Sequence, residues 1–544
     1  MSQPPQQRAT IRPALAAFAF TAVAIGAAWW WLGAPVTLPP SALATGAKFY
    51  CVSYAPFRDA QDPLVPGTMV APWQIEEDLA LLAKYTDCVR TYATDNGLDK
   101  VPEIAQRHGL KVLLGLWLSS NAERNRQQIA TGIELAKKFP DVVRAVIVGN
   151  EVLLRGEMSA IDLMAMIREV KAQIAEPVSY ADVWEYWLRY RDVQSAVDFV
   201  TIHILPYWED VPLPASRAAA HVDAIRKRVA TAIPDKEIVI GEIGWPSAGR
   251  MREGARPSPS NQARVIEETL TLGQRENFRV NVIEAFDQPW KRWLEGAVGG
   301  HWGIFDRASG APKFSFGGAV SDHRHWRALA LAGVLFAALI YAAAWTGARG
   351  KPLAPRLWPK VAALAFLPAV LFGWTIETVP VVSFSAGGWL RSLAWVATAA
   401  AAPIMCAAAC AANRALPSFA ALFNRGGERR DALRFALGAV FAALLLLSLQ
   451  EALGLVFDPR YRDIPFAPLG AAVTAFLVFK FSTPRPLGPP GPRAAAEMIA
   501  AAALVACAGY IALNESFANW QAVAFCAGLL GLAFILARAR DAPG

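Results

Sequence analysis

Ile238-Val-Ile-Gly-Glu-Ile-Gly-Trp-Pro-Ser-Ala-Gly249 is the stretch whose reading decides the fold. A β-branched apolar run delivers one carboxylate, Glu242, and then breaks into a Gly, Trp and Pro turn. Val142-Val-Arg-Ala-Val-Ile-Val-Gly-Asn-Glu151 has the same form and ends on Glu151. Buried strands that finish on an acid are how a parallel α/β barrel presents reactive groups, at the carboxyl ends of its strands.

Working outward, residues 46–320 alternate short β-rich runs with amphipathic segments. The runs are Lys48–Tyr54, Cys88–Ala93, Lys111–Trp117, Val142–Asn150, Pro177–Val183, Phe199–Leu205, Glu237–Gly241 and Arg279–Phe286. Helical patterns lie between them at Gln74–Lys84, Asn121–Phe139, Ala160–Ile174, Ser216–Ala232 and Asn261–Gly273. Ser216 and Asn261 are residue types that open a helix, and Gly273 is a type that closes one. Eight strands with intervening helices predict a (β/α)8 barrel, the eighth helix being the least evident because Gly296–Gly317 reads as loop. An open doubly wound sheet is disfavoured, since no Gly-rich phosphate turn follows any run.

The flanks are different. Of 544 residues, 54% are hydrophobic and only 18% charged, a balance that points to membrane spans. Residues 1–12 read as a cytoplasmic N-terminus and 13–33 as an uncharged span closed by Trp29-Trp30-Trp31, followed by a linker at 34–45. Ala42-Leu43-Ala44 resembles a signal cleavage site, but it lies well downstream of the apolar core, so a retained anchor is favoured. Seven further spans are predicted between 328 and 537, at 328–345, 361–378, 388–411, 433–453, 466–482, 495–513 and 517–536, with a tail at 538–544. Alternate loops carry Arg349, Lys351, Arg356 and Lys360, then Arg425, Arg429, Arg430 and Arg434, then Arg485 and Arg493, then Arg538 and Arg540. In a bacterial inner membrane that alternation predicts both termini in the cytoplasm and the 46–320 domain in the periplasm. Arg391, Glu451, Lys480 and Glu497 fall near span ends, where long side chains reach the interface.

The same loops account for the net charge of +8, so a nucleic-acid partner is not indicated. Six cysteines show no metal spacing, and neither a metal nor a cofactor is expected. Cys51 and Cys88 fall on adjacent runs, where a bridge and two buried thiols are both open readings.

Two carboxylates at neighbouring strand ends suit glycoside hydrolysis, one as proton donor and the other as nucleophile or base. Either Glu alone would read as an ordinary solvated strand-end acid. Together, in matching contexts, they do not. Val148-Gly-Asn-Glu-Val152 and Glu242-Ile-Gly-Trp-Pro-Ser247 resemble the acid/base and nucleophile motifs of glycoside hydrolase family 17, the β-1,3-glucanases and β-1,3-glucosyltransferases. His203-Ile-Leu-Pro-Tyr-Trp208 and Glu284-Ala-Phe-Asp-Gln-Pro-Trp-Lys291 are similar to that family's sixth- and eighth-strand segments. The resemblance implies Glu151 as acid/base, Glu242 as nucleophile, Asn150 on the sugar 2-hydroxyl and Tyr207 near the nucleophile. His203 stands where the family usually has Asn. From the residues themselves, Arg90 and Tyr92 are candidates to hold the nucleophile or a sugar, with a structural ion pair equally open; Glu284 and Lys291 are candidates to contact sugar, and Trp245 and Trp290 either to offer flat faces to glucose or to pack in the core. A family 17 barrel fused to many spans resembles bradyrhizobial β-(1→6)-glucan synthases. This implies a retaining transglucosylase on periplasmic β-(1,3)/(1,6)-glucan, with other glucan synthesis or export proteins as partners. An endo-β-1,3-glucanase is the alternative, and a non-catalytic glucan sensor or transporter the third reading.

Overall fold

The computed structural model describes residues 5–41, 46–58, 61–307, 309–348, 353–423, 431–482 and 491–540. Ala42-Leu43-Ala44 and the loop cations Arg349, Lys351, Arg425, Arg429, Arg430 and Arg485 lie outside them. The chain forms two compact units. One comprises Pro35–Ala248 and Gly254–Val320; the other comprises Met1–Ala34, Gly249–Glu253 and Ser321–Gly544.

The first unit is a closed, all-parallel eight-stranded barrel. Its strands are β1 (Cys51–Ser53), β2 (Cys88–Arg90), β3 (Lys111–Leu116), β4 (Val143–Asn150), β5 (Val178–Val183), β6 (Val200–His203), β7 (Ile238–Ile243) and β8 (Val280–Val282). Two apolar layers hold it. Val52, Val89, Val112, Leu114, Val146 and Val148 belong to the large core packed with the helices. A smaller cluster gathers Cys51, Cys88, Leu113, Ala145, Ile147, Ala181 and Val239. Alternate residues of a strand face opposite sides, so both layers come from the same short runs. Cys51 and Cys88 open β1 and β2 and are joined as a disulfide, which settles the two open readings.

The helix boundaries depart from the expected ones for local reasons. Ser258, not Asn261, caps Pro259–Arg275, its Oγ accepting from the Asn261 amide at 3.2 Å, with Pro259 at the first position, where its missing N–H costs nothing. Ala215–Ala232 starts after Pro214, so Ser216 sits inside its first turn. Gly273 closes nothing. It lies within its helix, where a Cβ would stand 2.9 Å from Val280 Cγ2, so the residue serves helix–strand contact. β8 ends at Val282, four residues before its expected limit, and short helical turns at Pro289–Lys291, Arg292–Glu295 and Ala297–Gly300 stand where an eighth long helix would be.

Among the described residues of the second unit, seven helices are long and apolar enough to cross a membrane: Ile11–Leu32, Trp326–Gly347, Leu357–Val382, Ala386–Ala411, Ala432–Phe457, Ala495–Glu515 and Trp520–Ala537. The remaining predicted span, Phe466–Ser482, has 17 residues. That is about 26 Å of helix against a hydrocarbon core of about 30 Å. The chain is therefore a membrane-spanning protein. Trp29 is fully buried, and a Cβ on Gly373 would stand 2.8 Å from its indole, so the first helix is a packed member of this bundle. Two of the acids expected to reach outward do not. Glu451 is buried beside Arg391 (3.4 Å) and Arg462 (3.9 Å), and Glu497 accepts the Phe419 amide at 2.7 Å. A buried carboxylate in an apolar bundle needs such partners.

Candidate active site

The polar residues of the barrel collect at the carboxyl ends of its strands. Ser53, Arg90, Asn150 and His203 are the last residues of β1, β2, β4 and β6; Glu151 follows β4, and Glu242 lies one residue before the end of β7. In the β6–β7 register His203 pairs with Glu242, across an irregularity that re-aims both side chains. Glu151 and Gly149 have φ of 54° and 88°. The left-handed turn swings Glu151 out of the strand direction, at a backbone cost acceptable only where neighbours hold it. Here the Glu151 amide donates to Ala181 O at 2.8 Å. Arg155 donates to Asn150 O and, at 2.8 Å, to Leu118 O, while its guanidinium lies 4.4 Å from the Trp117 ring centre.

Arg90 is the hub. Its Nη1 donates to Gly241 O at 2.7 Å and to Glu242 Oε1 at 3.3 Å, and its Nη2 donates to Asn150 Oδ1 at 2.6 Å. The last bond fixes the Asn150 amide, so its NH2 is the group left for a ligand. Tyr92 donates to Glu242 Oε1 at 2.8 Å; with its single proton committed there, it accepts from Ser53 Oγ at 2.8 Å. Two donors on one oxygen compensate a carboxylate that is only 4% exposed, and they leave Oε2 as the oxygen able to attack a ligand. His203 bridges the two acids. Its Nδ1 lies 2.8 Å from Glu151 Oε1 and its Nε2 3.6 Å from Glu242 Oε1.

One ligand atom each from Glu151, His203 and Glu242 lie within 4.8 Å of one another. Three such groups could hold a metal ion. The Arg90 guanidinium, however, already supplies the positive charge on Glu242, so a hydrogen-bonded acid pair fits the donor set better. For the carboxylates the separation has chemical meaning. About 5 Å suits attack by one acid while the other protonates the leaving oxygen, whereas inverting chemistry needs roughly 6.5–9.5 Å. Burial pushes the Glu151 carboxyl up, but the His203 hydrogen bond and the nearby positive charges of the site outweigh it and hold the group below its ordinary range.

Glu284 is 1% exposed; burial pushes it up to about 7 against the opposing Lys291 ammonium, whose Nζ donates to Oε2 at 2.9 Å. Its Oε1 is buried without a partner among the described residues, as befits an acceptor awaiting a ligand hydroxyl. Trp290 is partly exposed and donates its indole N–H to Gln288 at 2.9 Å. Trp245 and Tyr207 offer no accessible face. Trp245 gives its N–H to Arg256 O at 2.9 Å, and Tyr207 packs edge-on against Trp208, Trp245 and Trp302. Glu242 Oε1 accepts the hydroxyl of Tyr92, which lies just past the end of β2, at the same oxygen that Arg90 reaches.

Sequence reading did not single out Asp182, Arg155 or Glu295. Burial raises Asp182 to about 6 despite the Tyr180 hydroxyl bonded to it, and the Glu151 charge adds to the rise. Burial also raises Glu295, where Lys291 opposes and Glu151 and Glu242 reinforce the effect. Asp182 had one available signal, a lone charged residue inside a strand run.

Residues 51–303 match the BtgE/BtgC glycoside hydrolase domain. The chain is similar to a glucan 1,3-beta-glucosidase of Saccharomyces cerevisiae, 26% identical over 261 residues, or 44% of this chain and 83% of that one. It is also similar to the Schizosaccharomyces pombe enzyme of the same name, 29% identical over 230 residues, 39% of this chain and 72% of that one. Among solved structures it is similar to a glycoside hydrolase family 17 beta-1,3-glucanosyltransferase from Rhizomucor miehei, with 26% identity and a TM-score of 0.42, over 48% of this chain and 94% of that one. The two motifs, the barrel and the domain match together support a glycoside hydrolase family 17 assignment for residues 51–303.

Proposed function

We propose that the chain is a membrane-anchored, retaining β-glucan transglucosylase that rebuilds β-1,3-glucan outside the cytoplasmic membrane. The observation that carries the mechanism is the approach of a Glu151 and a Glu242 oxygen to within 4.8 Å. The relatives' name, glucan 1,3-beta-glucosidase, supports the substrate class.

In the first step Glu242 Oε2 attacks the anomeric carbon, and the bond from that carbon to the glycosidic oxygen breaks. Its electron pair stays on the leaving oxygen, which takes the Glu151 proton. Arg90 and Tyr92 keep the attacking carboxylate aimed, and Asn150 offers its NH2 to the sugar beside the reacting carbon. In the second step Glu151, now ionised, removes the proton from an acceptor hydroxyl, which displaces Glu242. A sugar hydroxyl gives transfer and water gives hydrolysis, and both routes use the same residues. The Glu284–Lys291 pair supplies one open acceptor and one cation for sugar hydroxyls.

Two features support a periplasmic barrel on a bacterial inner membrane: the alternation of basic loops, and the Cys51–Cys88 disulfide, which suits an oxidising compartment. The full chain, purified in detergent and given laminari-oligosaccharides, tests the reading. Products longer than the substrate are expected. Products that are only shorter would replace transfer by endo-hydrolysis.

A further inference from the structure

Building on the acid/base role proposed for Glu151, we infer that His203 is a positioning residue that fixes which oxygen of Glu151 carries the transferable proton. The argument begins with the tautomer. A guanidinium only donates, and Arg90 Nη1, whose two N–H groups are shared among Gly241 O, Glu242 Oε1 and His203 Nε2, lies 3.3 Å from the ring nitrogen, so Nε2 faces a donor and takes the acceptor role. The alternative, an Nε2–H donated to Glu242, would span 3.6 Å and is too long for a hydrogen bond. The ring has no exposed surface. The proton therefore sits on Nδ1, and Nδ1–H donates to Glu151 Oε1 at 2.8 Å.

Glu151 Oε1 is then committed as an acceptor whether or not the carboxyl is protonated. The transferable proton belongs on Oε2. A free carboxylic acid distributes its proton over both oxygens and rotates; the bond to His203 removes that choice and presents one oriented O–H. The barrel makes room for this contact at one place. A Cβ on Gly241 would stand 2.4 Å from Thr201 Cγ2, 3.0 Å from His203 Cδ2 and 3.3 Å from Nε2, so the residue just before Glu242 is held small by Thr201 first and is in tight contact with the ring as well.

The charges facing Glu151 come from several elements. Asp182 on β5, Glu242 on β7 and Glu295 after β8 oppose its ionisation; Arg90 on β2 and Arg155 on its own loop favour it. Among these partners His203 alone both touches a Glu151 oxygen and is set by Arg90, which also holds Glu242. It thus ties the geometry of the donor to that of the nucleophile.

The test uses the full chain in detergent, as wild type, His203→Ala, His203→Asn and His203→Gln. Each is assayed on a laminari-oligosaccharide and on 2,4-dinitrophenyl β-laminaribioside, whose leaving group needs no proton. His203→Ala is expected to lose roughly 100-fold in kcat/KM on the oligosaccharide and far less on the dinitrophenyl glycoside. The basic limb of its pH profile is expected to move up by about one unit, because a donated hydrogen bond stabilises the ionised acid. His203→Gln, which keeps a side-chain N–H of similar reach, should recover part of the loss and provides the comparison if the alanine variant does not fold. Equal losses on both substrates with an unmoved basic limb, in any folded variant, would overturn the inference. The underlying reading fails separately, if Glu151→Gln does not show the same dependence on leaving group.

Discussion

Replacing Arg90 by Met removes the group on which both halves of the site depend. The side chain is 1% exposed and meets Gly241 O, Glu242 Oε1, Asn150 Oδ1 and His203 Nε2 with one planar fork. Without it Glu242 retains the Tyr92 hydroxyl and loses the adjacent positive charge. Removing one partner of a buried ion pair costs about 3–5 kcal/mol, and each hydrogen bond to a charged group about 1.5–3 kcal/mol. If about 3–4 kcal/mol of that falls on the transition state, kcat/KM drops by roughly 10²–10³. Arg90→Lys separates charge from geometry. One ammonium can stay near Glu242 but cannot also span to Asn150 Oδ1, so stability should recover more than activity. The assay is the initial rate on a laminari-oligosaccharide for the full-length variants, with thermal melting alongside. An Arg90→Met protein that keeps wild-type kcat/KM within about threefold would refute the reasoning, because a buried Glu242 would then need no cationic partner.

Three further outcomes follow from other contacts. Lys313 is 8% exposed and its Nζ lies 2.6 Å from Asp287 Oδ1 and 2.8 Å from Ser247 Oγ. Burial raises the Asp287 carboxyl, but Lys313 and His301 outweigh it and hold the group below its ordinary value, so the pair's contribution is present above the unfolded carboxylate range and lost as pH falls through the folded value. Lys313→Met should therefore lower the barrel's melting temperature at pH 7, by about 3 kcal/mol of stability, and the gap from wild type should narrow on acidification in a pH series of melts. The Cys51–Cys88 link closes a sequence separation of 37 residues, for which chain entropy gives about 4 kcal/mol; the double alanine variant, or reductant on the denatured-and-refolded protein, should show a loss of that order. Because Glu151 must carry a proton in the first step and is held below the ordinary carboxylate range, kcat/KM should fall as pH rises through its folded value, giving an acidic optimum; a flat profile up to pH 8 would contradict that assignment.

The barrel was legible because its strands are short, apolar and end on polar residues, a pattern that Val142–Asn150 and Ile238–Ile243 write out plainly. Helix starts were read less well: Ser258, Ser260 and Asn261 are all cap types and only the three-dimensional turn selects Ser258, while Ala215–Ala232 opens after Pro214 with no side-chain cap, so Ser216 falls inside it. Trp245 and Tyr207 illustrate a different limit. An aromatic residue beside a catalytic motif can serve the sugar or the wall behind it, and the sequence says nothing about which face is covered. Arg90 and Tyr92 were found as strand-end polar residues, while Asp182 and Arg155 were not, since their roles depend on side chains arriving from other strands. The length of Phe466–Ser482 was readable, but its pairing within the bundle was not.

The central claim, that Glu242 forms a glucosyl ester while Glu151 supplies the proton, has one direct measurement. The full chain is incubated with a 2-deoxy-2-fluoro laminaribiosyl fluoride, digested, and mapped by mass spectrometry. A single glycosyl adduct on the peptide bearing Glu242 is the predicted result. An adduct on another carboxylate, or turnover that releases the α-anomer with no adduct formed, would contradict the account.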